Sequence, residues 1–330
     1  MSELDIASQK PGWERAALEK LVFSNIKEQR AARRWSIFFK LAWLALALFL
    51  VFRTWMPGIS SGAKSNVGGA HTAVVSLKGV IDSEGHGSAD AVIRSLRAAF
   101  ENNSSKGVIL AINSPGGSPV QSGMIFSEIK RLRVKYPDKK LVAVVEEICA
   151  SGGYYVASAA DQIYADQASL VGSIGVLMDG FGFTGLMDKV GVERRLYTAG
   201  ENKGFLDPFS TMNDKQRAHI QTMLTDIHQQ FISAVKVGRG KALKDNPEIF
   251  SGLVWTGKKA VDLGLIDGLS TIEAVARDQF KAEELVDYTI EENIADRLAK
   301  RLGASFGASF GASLNATVAK FLTSQTGVLK

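Results

Sequence analysis

Ser151 stands in the segment Ala150-Ser151-Gly152-Gly153, directly after the apolar, β-branched run Leu141 to Ile148 and before the small-residue run Tyr154 to Ala160. A strand, an abrupt glycine turn and a helix in that order hold a serine hydroxyl clear of a sheet, where it can attack a carbonyl. Glycine after the serine removes the Cβ that would keep a carbonyl oxygen from the N–H groups opening the helix, and these carry partial positive charge. The same segment also reads as a turn whose serine only caps the helix.

A nucleophilic serine needs a base. The chain has four histidines, His71, His86, His219 and His228, and none falls between Ser151 and His219. His219 and His228 read as surface residues of a long helix. Lysine can serve instead when burial disfavours its ammonium form. Lys189, Lys203 and Lys215 are the downstream candidates, and Lys203 lies between Gly200 and Gly204, which would let its loop pass close to another element. An ordinary solvated loop lysine is the alternative.

The elements that must position these residues follow a β/α alternation. Strands are expected at 72–77, 107–112, 141–148, 161–165 and 193–197, with Gly79 to Asp82 extending the first. Helices are expected at 88–101, 122–136, after Met187, at 212–237 and from Thr271. Buried apolar strands alternating with amphipathic helices predict an α/β domain with a mainly parallel sheet. Two glycine-rich turns, Asn113-Ser-Pro-Gly116-Gly117 and Gly172-Ser173-Ile-Gly175-Val176, follow strands as the Ser151 turn does.

At 330 residues, with 46% apolar and 22% charged residues, the composition suits a globular domain plus a membrane segment. The net charge is +5, and Lys27, Arg30, Arg33, Arg34 and Lys40 cluster ahead of and within the apolar run Trp35 to Phe52. Eighteen helical residues reach about 27 Å, close to a hydrocarbon core of about 30 Å. A buried core helix or a cleaved signal peptide would be alternatives, but no A-x-A-like cleavage site follows. The basic flank places the N-terminus in the cytoplasm and everything after Pro57 outside. No arginine-aromatic patch suggests nucleic acid, and Cys149, the sole cysteine, can form neither an intrachain disulfide nor a cysteine-based metal site.

The expected organisation is a cytoplasmic segment 1–34 with a short amphipathic helix, a signal anchor 35–56, a linker 57–71, a catalytic domain 72–285 and a helical or mobile tail 286–330. The tail carries the repeat Gly303-Ala-Ser-Phe, Gly307-Ala-Ser-Phe, Gly311-Ala-Ser-Leu.

The ordered set of Asn113-Ser-Pro-Gly-Gly117, Ala150-Ser-Gly-Gly-Tyr154, Val171-Gly-Ser-Ile-Gly-Val176 and Lys203 resembles the signal peptide peptidase A family, bacterial membrane-anchored serine peptidases with a Ser/Lys dyad. The likeness covers about Thr72 to Thr271 and the preceding anchor. It implies Ser151 as nucleophile, Lys203 as general base and Ser173 as the residue that orients the lysine amine. It also implies an oxyanion hole from the N–H groups of Gly152 and of the Gly116-Gly117 turn. The fold it implies is crotonase/ClpP-like, with stacked parallel sheets and outer helices, assembled as a homo-oligomeric ring or dome. The implied protein sits in the bacterial inner membrane, its catalytic domain on the periplasmic side, and cleaves signal peptides without metal or cofactor. A quality-control peptidase of the same clan, an acyl-CoA-binding crotonase-type protein and an inactive scaffold are the competing readings.

Overall fold

The computed structural model describes residues 33–49 and 69–290. The chain divides into two units, residues 1–64 and 65–330. In the first, residues 33–49 form helix α1, with Trp35, Phe38, Phe39, Leu41 and Trp43 among its exposed apolar side chains. No helix among the described residues is long and apolar enough to cross a membrane. Residues 50–56 of the expected anchor, the amphipathic stretch before residue 33, linker residues 57–68 and the Gly-Ala-Ser repeat all lie outside the described residues.

The second unit is built on an eight-stranded sheet whose main path runs through residues 254–256, 170–172, 141–150, 105–114, 71–78 and 285–287 in that order. Strands β1 (His71–Lys78), β2 (Ser105–Ser114) and β3 (Leu141–Ala150) form its parallel centre. Val108 to Ile112 of β2 are buried on both faces, as expected of a central parallel strand. α2 (Ala89–Glu101) and α3 (Pro119–Lys135) provide the crossovers. Ser88 and Ser118 cap them by accepting from the N–H groups of Ala91 and Gln121, and Pro119 occupies the first turn of α3, where its missing N–H costs nothing. Their apolar faces join Val75, Leu77, Leu110, Ile112 and Val145 in the main core. The opposite sheet face is covered locally where Val275 and Ala276 meet Ile109, Val142 and Val144. These belong to α8 (Ile272–Val275) and the π-helical turn that continues it to Phe280.

The sheet branches at β3. The partner residues Ile112 and Val145 are followed by Ser114 opposite Cys149, so one residue of β2 faces three of β3. This bulge splits β3 into two halves. Its first half pairs β4 (Gln162–Ala165), which carries β7 (Gly268–Leu269), and its second half pairs β5 (Leu170–Gly172). β5 in turn pairs antiparallel with β6 (Val254–Thr256). The expected mainly parallel α/β domain is therefore present, but as one branched sheet rather than separate stacked sheets.

Two further differences are local. Residues 193–197 form no strand, because no strand lies beside them and Arg194 and Arg195 pair instead with Asp207 and Glu193. At the C-terminal end, β8 (Leu285–Asp287) pairs β1, so the sheet extends past the expected boundary at 285.

Candidate active site

The bulge in β3 brings Ala150 beside Gly172, and the Ser151 N–H donates to the Gly172 carbonyl at 2.8 Å. Ser151 and Ser173 thus leave two paired strand ends side by side. Both adopt left-handed backbone, with φ of 50° and 53°, which costs a non-glycine residue about 1–2 kcal/mol and marks positions held for a purpose. Ser151 occupies the N-cap position of α4 (Gly152–Ala157), yet its side chain makes no capping hydrogen bond. The capping role therefore does not describe it; its hydroxyl remains available. One turn on, the buried Tyr154 hydroxyl donates to the Leu265 carbonyl at 2.6 Å and fixes α4.

The two glycine turns explain their own composition. A Cβ on Gly116 would lie 2.7 Å from both the Gly152 nitrogen and the Ser151 Cβ, and one on Gly117 would overlap the Ile81 carbonyl. A Cβ on Gly152 would overlap Ser122 Oγ and come within 3.2 Å of the Gly117 nitrogen. The backbones of 116–117 and 151–152 are therefore packed against each other as only glycine allows. Within this pair of turns the Gly116 N–H is taken by Ser114 Oγ at 3.1 Å. Ile81 uses the Gly116 carbonyl and the Ser118 N–H, so the Gly117 N–H faces away from Ile81. Among the described residues neither Gly117 nor Gly152 donates its N–H to a protein acceptor. Gly117 and Gly152 are thus the free donors, and Gly116 is not.

Ser151, Ser173, Gly117 and Gly152 open on a cavity of about 580 Å³. Its far wall comes from α6 (Asp214–Arg239), through Ile227, Gln230 and Phe231, with Tyr155 at the floor. Sequence periodicity identified α6 as a helix but gave no sign that its middle walls this cavity.

Lys203 is placed elsewhere. It is exposed, in a turn closed by its N–H to the Gly200 carbonyl at 3.1 Å, and it does not line the cavity. Gly204 does allow a close approach, but to Leu196. Lys203 rides on an arm, residues 177–212, that packs on itself through the stacked Phe183 and Phe209 and the Arg194–Asp207 pair. α5 (Thr184–Val190) on that arm buries no residue, and Leu177, Phe181, Leu186, Val190 and Tyr197 are more than half exposed.

The histidines offer no substitute base, since none lines the cavity. His71 meets the Tyr288 hydroxyl, His86 is exposed and His219 lies against Phe205. His228 is not the surface residue its helix position suggested: it is half-buried, with Nε2 3.1 Å from the Ile174 carbonyl. Cys149, two residues before Ser151, is buried, and burial pushes its thiol well above the usual range, so it stays an unreactive thiol. Among the described residues no cluster of His, Cys, Asp or Glu could hold a metal ion.

The family model for peptidase family S49 matches residues 134–286. Over 185 residues the chain is 47% identical to a protein of Brucella abortus (strain 2308) named as a Na(+)/H(+) antiporter, NhaA; the match covers 56% of this chain but 25% of that protein. It is 33% identical over 198 residues to a protein of Methanocaldococcus jannaschii that carries a protease name, covering 58% of this chain and 63% of the relative. It is 30% identical over 236 residues to the chloroplastic serine protease SPPA of Arabidopsis thaliana, covering 69% of this chain and 34% of that one. The matched part therefore spans from a quarter to just under two thirds of these relatives.

Proposed function

Since this chain belongs to peptidase family S49, we propose that it is a serine endopeptidase in which Ser151 attacks the peptide carbonyl and Lys203 accepts its proton. The observation that carries this reading is the uncapped Ser151 hydroxyl beside the two free N–H groups of Gly117 and Gly152. As the Ser151 Oγ–C bond forms, these donors receive the oxyanion; such a donor contributes on the order of 3 kcal/mol in comparable hydrolases. Collapse breaks the C–N bond, and the lysine returns the proton to the leaving amine. Water then hydrolyses the acyl-enzyme, with the lysine again taking the proton. Ser173, which lines the same cavity, orients the lysine amine.

Within one chain, Lys203 is exposed and lies outside the cavity lining. The self-packed arm that bears it leaves Leu177, Phe181, Leu186, Val190 and Tyr197 uncovered, side chains that a partner surface would bury. We read this as a homo-oligomer, ring or dome, in which the arm of one copy delivers Lys203 to the cavity of the next. The buried environment a lysine base needs is then supplied by the assembly.

The remaining features of the reading rest on sequence. The apolar run from Trp35, helical over 33–49, with its basic flank supports a single-pass anchor in a bacterial inner membrane, the catalytic domain outside. Cavity walls of Val176, Leu177, Ile227 and Phe231 favour apolar side chains, as cleaved signal peptides present. A quality-control peptidase acting on membrane proteins would use the same site. An acyl-CoA-binding role would need neither the Ser151 hydroxyl nor the strain stored at 151 and 173.

The test is hydrolysis of a fluorogenic peptide with an apolar residue before the scissile bond by the detergent-solubilised full chain. Wild type should cleave, while Ser151→Ala and Lys203→Ala should each lose at least a thousandfold in kcat/KM. Cleavage that survives Ser151→Ala overturns the reading.

A further inference from the structure

The Ser173 turn is held by a tie that the proposed chemistry does not use. Three backbone bonds fix residues 172–175: Ser151 N–H to Gly172 O at 2.8 Å, Ser173 N–H to Leu253 O at 2.8 Å, and Gly175 N–H to Ser173 O at 2.9 Å. The last closes a three-residue turn with Ile174 at its centre. The Ile174 side chain is fully buried, while its carbonyl meets the ring of His228 on α6 at 3.1 Å. A carbonyl can only accept, so His228 Nε2 must carry the proton and donate it. No other side chain among the described residues hydrogen-bonds the turn.

The position of His228 along its helix gives that bond a consequence. Ile227 precedes it, and Gln230 and Phe231 follow within one turn; all three form the α6 wall of the cavity. Ser173, Gly175, Val176 and Leu177 line the cavity from the other side. His228 itself does not enter the cavity, so it is neither a base nor a substrate contact. Its bond joins the wall to the turn from behind. We propose that His228 is a positioning residue: through Ile174 it fixes the separation between the α6 wall and the turn, and with it the place of Ser173 beside Ser151. Ser173 holds a backbone conformation that serine rarely adopts, with φ of 53°. Without the tie from α6 the turn has a lower-energy conformation available, and Ser173 leaves its station.

The proposal rests on the peptidase reading for its kinetic consequence, but not for its structural one. His228→Leu removes the donor, and His228→Gln keeps an N–H at similar reach. We expect kcat for the fluorogenic peptide to fall about tenfold in His228→Leu with KM within about twofold, because a small displacement of a positioned group is felt chiefly in the transition state. His228→Gln should recover most of that loss. Hydrogen exchange should show the Gly175 amide exchanging faster in His228→Leu than in wild type, and the Tyr154 region unchanged. Should His228→Leu not fold, His228→Asn, whose amide falls short of the carbonyl, takes its place. A His228→Leu protein with wild-type kcat, a loss equally deep in His228→Gln, or unchanged exchange at Gly175 overturns the proposal. An inactive wild type overturns the peptidase reading instead, and the exchange comparison then still decides whether His228 holds the turn.

Discussion

Gly117 does two things that a Cβ would undo at once. Its backbone, at φ of 149°, lies against Ile81, and its N–H is one of two in these turns without a protein acceptor among the described residues. Gly117→Ala must push the 116–118 turn off Ile81, moving that donor by about 1 Å, enough to spoil a positioned hydrogen bond. We expect peptide hydrolysis to fall by about a hundredfold or more, the cost of losing one oxyanion donor, together with a lower unfolding midpoint. Hydrolysis at wild-type rates would show that Gly117 is not a donor. At this scale the sequence was most informative, because serine and glycine types follow directly from local geometry. Ser151 and Gly152 could be read from the strand-turn-helix pattern, whereas Ser173 and the Gly116-Gly117 turn entered with the family resemblance. What could not be read is hydrogen-bond accounting: only the Ser114 hydroxyl, which occupies the Gly116 N–H, separates Gly117 from its neighbour.

Two packing contacts between elements carry testable energies. Glu128 on α3 is almost wholly buried and accepts from Arg131 Nε and Nη2 on its own helix and from Arg97 Nε on α2, at 2.6–2.9 Å. The two Arg131 hydrogen bonds, with the one from Arg97, outweigh burial and pull its carboxyl down to about 2. Because the folded value lies below the unfolded one of 4.5, the stabilisation is complete above about pH 5 and fades as pH falls toward 2. Counting solvent screening of the half-exposed guanidiniums, Glu128→Gln should cost about 2 kcal/mol at pH 7 in urea unfolding. The gap between variant and wild type should close near pH 2, and a gap constant with pH would contradict this account. At the other contact, a Cβ on Gly238 of α6 would overlap the Ser158 carbonyl at the end of α4. Gly238→Ala should therefore lower the unfolding midpoint by several degrees and shift the α6 wall of the cavity, although alanine is the better helix former.

The elements themselves were legible where burial enforces a period. β1, β2 and β3 and the first two crossover helices fall within a few residues of where apolar spacing puts them. Residues 193–197 were not, since alternation without a neighbouring strand gives the backbone no ladder to join. Nor was the β3 bulge: a run such as Val144-Val145-Glu146-Glu147-Ile148 does not say which residues a partner strand will skip.

For the whole molecule, the placement of Lys203 decides the account. A local motif could mark it as a base but not state which copy of the chain it serves, because that depends on surfaces folded far apart in sequence. If the arm reaches a neighbouring copy, co-expressing Ser151→Ala and Lys203→Ala chains should restore cleavage that neither shows alone, since mixed assemblies contain intact pairs. A mixture as inactive as its components would place both residues in one copy. Fractionation of the full chain bears on the anchor: it should stay with membranes after a carbonate wash, and release would contradict a spanning segment.

The most direct test of the central claim is covalent labelling with a fluorophosphonate probe followed by peptide mapping. Because the probe reacts with an activated serine whatever the natural substrate, it separates the site from the choice of peptide. One labelled peptide is expected, modified at Ser151, with labelling lost in Ser151→Ala and strongly slowed in Lys203→Ala. Labelling at another serine, or a chain that cleaves peptide while Ser151 stays unmodified, would contradict it.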